Sequence, residues 1–579
     1  MISTVQQKKS FQWLYQFSGW TNIFAVLTVF GPLFPLFCDA IGMSKTRIGL
    51  VLAVFPVSYL LSMFISRWVM RYGTKKITIH YYVLRYLFIL LLPSAGLVAA
   101  RYNNDAAFLW VMAVIVLFAV SRAVAETGWW LWFIELIPSK VRGKVEAVNS
   151  MVANIASVIA SLAAVWIMKT WPGMTGFSIA MYAGTFFGIF ALIMARRLPG
   201  GEPQIVEKKN WSLLADTAEA MRNPRFGRWI SGSILFLTGT SLFGFLPLFL
   251  SERLGFTADR VMLFSGCAQA GILVSAFFWG WSADRFGSKP VFMNAMAGII
   301  LLPFLLLFLP RLDRQSALAT GLVYAFLGIA LQGCLAGFNR YFFVTVLPTS
   351  RNPGFSTALN TSIQNVLGAV CFLFYGWLLD VLRPVKGDWY FLHLDNFALL
   401  FGLMLLGFLG AFTVFRRAQE DSGVQSGAFV SLFLQGNPFL AFSSMVRFHL
   451  SEDETRRMEL TRKMGDAKSH LTVEELVRAA DDPSFNVRYE AIVSMARMPP
   501  DEKLIRALSA AVRSREPGLS EAAVWALGRI GDPRALPVLR EMLTCEFALI
   551  RSQCARALAK LNDQEIVPVI EEAFAREKN

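Results

Sequence analysis

Charged residues are scarce in this 579-residue chain, where Asp, Glu, Lys and Arg make up 16% of the sequence, against about 25% in an average soluble protein. Cysteine is scarcer. The six cysteines have no Cys-x-x-Cys or metal-ligand spacing, which excludes a disulfide-knit secreted domain and a zinc ribbon. No glycine-rich phosphate loop is present, so ATP is not the expected energy source. Without a nucleophile constellation or a metal cluster, no enzymatic activity and no cofactor are expected. What the chain has in abundance is apolar surface: 55% hydrophobic residues, 50 Phe and 16 Trp, with a mean hydropathy of +0.49. A globular core cannot hide that much, so membrane lipid must be part of the solvent.

The charge divides unevenly. Residues 1–449 carry a net +17 and residues 450–579 a net −2. A nucleic-acid footprint would need bases clustered on a soluble face, and the tail shows none, so nucleic acid is not an expected partner. Basic loops between apolar runs are instead what the orientation rule for membrane proteins produces.

Hydropathy predicts about twelve membrane spans at 11–37, 47–69, 77–99, 107–135, 145–168, 177–195, 228–250, 259–281, 290–309, 317–346, 355–379 and 394–415, each of workable length. The first run is too long for a signal-peptide core and lacks a cleavage site, so no cleavable leader is expected. Lys8, Lys9, Arg67, Arg71, Lys75, Lys76, Arg196 and Arg197 lie at the amino terminus or in even-numbered loops. Both termini are therefore expected in the cytosol, with the chain in the cytoplasmic (plasma or inner) membrane. Five segments are expected: a six-span half at 1–195, a central connection at 196–227 with an interfacial helix near Trp211–Met221, a second six-span half at 228–416, a linker at 417–452, and a helical tail at 453–579. The apolar stretch 428–442 in the linker is too short to span and is expected at the membrane surface.

The two halves repeat each other. Pro35 in GPLFPL aligns with Pro247 in GFLPL; Arg71-Tyr72-Gly73-Thr74-Lys75 aligns with Arg285-Phe286-Gly287-Ser288-Lys289 at an offset of 214. Asn149 and Asn154 align with Asn360 and Asn365, both at 211. Parallel six-span repeats with a binding site between them are a recurrent secondary-transporter plan. The segment GWSADRFGSKP, Gly280 to Pro290, resembles the loop signature G-x-x-x-D-R-x-G-x-K of the major facilitator superfamily. The first-half copy from Ser66 keeps Arg71, Gly73 and Lys75 but has Ser66 and Met70 where the pattern has Gly and Asp. The resemblance covers residues 11 to about 416. It implies a transporter working by alternating access, with spans 1, 2, 4, 5, 7, 8, 10 and 11 lining the pathway. It also implies loops that gate on the cytoplasmic side through Arg71, Gly73, Lys75, Gly280, Asp284, Arg285, Gly287 and Lys289.

Polar side chains deep in spans are costly and so point to function. Asn22, Tyr59, Arg122, Glu126, Asn154, Gln269, Gln332, Arg340 and Asn365 are the candidates for a substrate or ion pathway. Arg122 and Glu126 share one face of span 4 at i, i+4 spacing. They are read either as a substrate anchor with an ion-responsive carboxylate, or as a structural ion pair. Asn154 and Asn365 are read as substrate contacts or as helix-bridging amides. Arg85, on a span the family pattern makes peripheral, has no account from sequence.

In the tail, Leu476, Leu508, Leu539 and Ile570 recur at spacings of 32, 31 and 31, with Met495, Leu527 and Leu558 in the same period. Such a period marks stacked helix pairs, and the units resemble short HEAT repeats. The expected fold is all-α: two pseudo-symmetric six-helix membrane bundles plus a small α-solenoid. The expected function is symport, antiport or facilitated diffusion of a small organic solute, a sugar or an organic anion, with a protein partner or regulatory role for the tail. The rival reading is a membrane receptor or scaffold whose tail recruits a partner.

Overall fold

The computed structural model describes residues 4–137, 142–203, 213–309, 317–351, 353–385, 387–389, 392–419, 429, 436–562, 567–568 and 571. The chain forms two compact units, residues 1–426 and 427–579.

The first unit is a helical bundle. Among the described residues, ten of its helical segments are long and apolar enough to cross a membrane, so the protein is multi-pass. The first two expected spans are each built from two shorter helices, α1 (Thr4–Leu27) with α2 (Leu33–Ala40), and α3 (Lys45–Ser58) with α4 (Leu61–Tyr72). The second break follows Pro56, where the N–H groups of Tyr59 and Leu60 step to i−3 carbonyls, Pro56 O and Val57 O, at 3.1 Å each. Proline strain of this kind is a normal cause of a bend. The half continues with α5 (Thr74–Ile89), α6 (Ala95–Arg101), α7 (Asn104–Leu136), α8 (Arg142–Thr170) and α9 (Met174–Arg197).

A short helix α10 (Leu213–Arg222) lies in the central connection and overlaps the stretch expected to be helical. The second half follows as α11 (Pro224–Ser241), α12 (Leu246–Leu248), α13 (Ala258–Phe286), α14 (Ser288–Ile300), α15 (Leu302–Phe308), α16 (Ala317–Tyr341), α17 (Pro353–Val381) and α18 (Asn396–Arg416). A two-stranded hairpin, Gly387–Trp389 with Leu392–Leu394, joins the last two.

The repeat seen in sequence reappears in geometry. Pro35 lies in α2 and Pro247 in α12, so the first element of each half breaks at the same place. The turns from α4 to α5 and from α13 to α14 pass through Gly73 at φ +95° and Gly287 at φ +94°. Only glycine takes that region without a steric penalty. The lysines of the two loops also match. Lys75 Nζ donates to Leu198 O at 2.5 Å, just past the end of α9. Lys289 Nζ donates to Ala418 O at 2.5 Å and Arg416 O at 3.2 Å, at the end of α18. Each lysine thus satisfies orphan carbonyls at the C-terminus of its half's last helix, where a cation is favoured by the dipole.

The second unit is a stack of helix pairs: Glu454–Asp466 with Val473–Ala479, Phe485–Met495 with Glu502–Val512, and Pro517–Ile530 with Leu536–Glu541, followed by Ala548–Lys560. Leu476, Leu508, Leu539, Met495, Leu527 and Leu558 are all fully buried, which is why they recur; Ile570 lies outside the described residues. Ion pairs link successive units, Arg457 to Asp482 at 3.0 Å, Arg488 to Glu516 at 2.8 Å and Arg513 to Glu541 at 2.6 Å. Hydrogen bonds from Arg534 hold the Asp532 carboxyl below the usual carboxylate range.

The stretch expected at a membrane surface is described only in part. Its described helix, Pro438–Leu450, belongs to this second unit and packs on Glu454–Asp466. Asn437 N–H donates to Ala467 O at 2.8 Å there.

Because the stack buries one leucine row, Leu508→Ala should destabilise the tail by about 2–5 kcal/mol. Thermal unfolding of the full chain followed by helical circular dichroism checks this. An unchanged tail transition would mean that Leu508 is not part of a packed core.

Candidate functional site

The most polar point inside the first half is built on α7. Arg122 Nε donates to Glu126 Oε1 at 2.7 Å. The i, i+4 spacing sets both side chains on one face. Arg122 Nη2 also reaches the Tyr59 hydroxyl at 3.5 Å, and its guanidinium lies 4.4 Å from the Phe30 ring centroid and 4.9 Å from that of Tyr59. The break after Pro56 places Tyr59 at the junction of α3 and α4, and Phe30 sits at the break between α1 and α2. The interruptions of the first two spans therefore both serve this cluster.

Arg85 on α5, unexplained by sequence, belongs to the same cluster. Its Nη1 is 3.9 Å from Glu126 Oε1, and its Nη2 donates to the Tyr86 hydroxyl at 3.1 Å. Its guanidinium is packed against the rings of Tyr82, Tyr86 and Phe24 at 4.0, 4.9 and 5.1 Å. Cation–π contact offsets part of its desolvation. The exposures differ within the cluster. The Arg85 side chain is 3% exposed, while Arg122 and Glu126 keep 16% and 18%. A charged side chain at mid-bilayer costs about 3 kcal/mol on insertion scales. One carboxylate between two guanidinium groups recovers part of that cost through Coulomb attraction at low dielectric.

The other expected pathway residues lie apart from this cluster's bonds. Asn22 and Asn365 each donate to the carbonyl four residues back, Ser18 O and Thr361 O, at 2.9 Å. Asn154, Gln269 and Gln332 are half-buried on α8, α13 and α16. Arg340 reaches the signature loop instead of the middle of the bundle. Its Nε donates to Asp284 Oδ1 at 3.1 Å and its Nη1 to Ser288 Oγ at 2.8 Å. Asp284, named among the gating residues, thus takes Arg340 as a partner. Arg285 packs on Trp281 and Phe286, Gly280 is half-buried and Arg71 is exposed. Trp132 is fully buried and donates to Pro199 O at 2.8 Å, and Trp130 is exposed.

A polar contact between the two halves lies at the end of the bundle opposite the signature loops. Asp380, near the C-terminus of α17, accepts Lys45 N–H at 3.1 Å, Thr46 N–H at 2.7 Å and the Thr46 hydroxyl at 2.6 Å. These are donors at the N-terminus of α3, where a carboxylate is favoured twice over, by the free N–H groups and by the dipole. Lys45 Nζ adds ion pairs to Asp39 and Glu252. The backbones come close because Gly49 faces Gly376: a Cβ on either would sit 2.4 Å from a carbonyl oxygen of the other helix. Sequence reasoning passed over Asp380 and left Arg85 without an account. A pairing 334 residues apart leaves no periodic trace.

Two repeat-related helical bundles that meet at one end, with paired charges inside one of them, define the class of a polytopic membrane transporter. The profile of the Major Facilitator Superfamily matches residues 13–371, and the chain belongs to that superfamily. HEAT repeats match residues 473–559, and a PBS lyase HEAT-like repeat matches 550–576.

Two curated relatives are a putative metabolite transport protein of Haemophilus influenzae, 24% identical over 38% of this chain and 53% of its own length, and a putative proline/betaine transporter of Staphylococcus haemolyticus, 22% identical over 55% of this chain and 66% of its own. The chain thus spans between half and two thirds of those relatives. Among solved structures, a D-xylose-proton symporter (14% identity, 72% of this chain, 99% of that one, TM-score 0.54) and the nucleoside transporter NupG (12%, 73%, 100%, 0.52) share the fold.

The helix-capping contact makes a direct prediction. Asp380→Ala should speed amide hydrogen exchange in the peptide covering residues 44–52 by about tenfold, the factor that about 1.4 kcal/mol of lost protection gives. Unchanged exchange would show that Asp380 does not hold this end closed.

Proposed function

We propose that this protein is a secondary transporter of the cytoplasmic membrane that moves a small organic solute by alternating access, with Arg122 as the solute anchor and Glu126 as the ion-responsive carboxylate. The observation that carries the reading is the Arg122–Glu126 pair on α7, which keeps open surface while its partner Arg85 is sealed. A proton or a cation on Glu126 would release Arg122 from its 2.7 Å bond and free it for a ligand. The relatives' names, metabolite transport and proline/betaine transport, are in keeping with a small polar solute.

The basic even-numbered loops support cytosolic termini. With that orientation, the Asp380 contact closes the outer end and the described state faces inward. Opening outward requires that contact to part and the end bearing Asp284 and Arg340 to close. The HEAT repeats, which bury their leucine rows and leave charged faces, support a role in docking a protein partner or regulating the transporter.

Counterflow in proteoliposomes loaded with radiolabelled proline, betaine, lactate, xylose or uridine tests this. Uptake of one class is expected. Arg122→Ala should lower it by at least about tenfold, and Glu126→Gln should abolish its dependence on a proton or ion gradient. Wild-type uptake by Arg122→Ala would remove the anchor role. Function that survives without uptake but is lost on deleting the tail would favour the scaffold reading.

A further inference from the structure

The charge balance around Arg122 carries a sharper conclusion about the solute. Residues 1–200 contain five carboxylates: Asp39, Asp105, Glu126, Glu135 and Glu146. Asp39 and Asp105 pair with Lys45 and Arg47 at the Asp380 end. Glu135 accepts Gly201 N–H at 3.2 Å at the opposite end. Glu146 lies in the first turns of α8, at that same end. Glu126 is therefore the one carboxylate deep in the half. In the second half every Asp and Glu of the spans falls near a helix terminus, as with Glu252, Asp259, Asp284, Asp380 and Asp395.

Against Glu126 stand two guanidinium groups. The elements packed around them contribute Phe24 and Phe30 at the first span, Tyr59 at the second, and Tyr82 and Tyr86 on α5, none of them a carboxylate. The cluster carries one positive charge in excess. Arg85 Nε is buried and without a hydrogen-bond partner. A sealed guanidinium that cannot reach open space has no direct use for a ligand, and its aromatic wall is closed by Tyr86 against α9, where Gly188 leaves room for the ring.

We infer that Arg85 is a positioning residue that acts through Glu126, and that the excess charge it creates makes the transported solute an organic anion bound through a carboxylate at Arg122. This rests on the transport reading above and deepens it. When a carboxylate takes Arg122, Glu126 loses its 2.7 Å partner. Whenever Glu126 is ionised in that state, Arg85, already 3.9 Å from the same oxygen, compensates it from behind. A neutral sugar or nucleoside would leave the excess charge unanswered at low dielectric.

Ligand-induced thermal stabilisation of the detergent-purified full chain tests this, with acetate, lactate and benzoate set against acetamide, lactamide and benzamide. Carboxylates should stabilise the wild type and the amides should not. Arg85→Gln makes the cluster neutral and should weaken carboxylate binding by about tenfold or more, whereas Arg85→Lys should retain it. The double variant Arg85→Gln/Glu126→Gln restores one excess positive charge and should regain binding. A purely structural Arg85 would not be rescued by a second loss.

Equal stabilisation by acids and amides, or none by either, would overturn the anion assignment and leave the uptake experiment to judge transport. Wild-type carboxylate binding in Arg85→Gln, or a double variant no better than the single one, would overturn the role of Arg85. Binding that follows cluster charge without counterflow of any carboxylate would uphold the anion site and fail the transport reading.

Discussion

One carboxylate shared by two guanidinium groups organises the interior of the first half. At low dielectric neither Arg85 nor Arg122 is tolerable alone, and neither is Glu126. The three are tolerable together, and they impose demands on the helices around them. The first span must break so that Phe30 can face Arg122. The second must break after Pro56 so that Tyr59 can. Helix α5 must bring Tyr82 and Tyr86 around Arg85. The local irregularities of this half are thus arranged around the charge it buries.

The rest of the bundle is governed by helix ends. A lysine in each signature loop closes the carbonyl end of its half's last helix, Lys75 after α9 and Lys289 after α18. At the opposite end of the bundle Asp380 closes the amide end of α3 across the two halves. The first two contacts lie within one half and need not change during transport. The third joins the halves and must break for that end to open. Its energy is of the kind that can be lost and regained cheaply: charge-assisted hydrogen bonds to a helix N-terminus, which water can replace. The Gly49–Gly376 approach gives the two helices a close, shallow contact without interlocking side chains.

Much of this was legible in the sequence because it is periodic or local. Hydropathy marked the spans, a constant offset marked the repeat, and a 31-residue period marked the leucines that the solenoid buries. Arg122 and Glu126 were visible because they lie one helical turn apart. The breaks in the first two spans were not, apart from the hint at Pro56, since hydropathy averages over a short turn. Arg85 was opaque because its partner lies on another helix. Lys75 and Lys289 read as gating-loop charges, since their acceptors are backbone carbonyls that no side-chain pattern reveals. Arg340, low on its span, reads either as cavity-facing or as snorkelling to the interface, and the length of its side chain carries it to Asp284 and Ser288.

Alternating access requires two halves that part at one end while closing at the other. The direct measurement is electron–electron double resonance on the full chain in lipid nanodiscs, with one label pair at Tyr102 and Val385 near the Asp380 contact and another at Tyr72 and Arg351 at the signature-loop end. These are exposed positions. Alternating access predicts two distances for each pair, with the longer Tyr102–Val385 population rising as the longer Tyr72–Arg351 population falls, and Asp380→Ala shifting both in that direction. A single distance at each end, unmoved by Asp380→Ala, would contradict it.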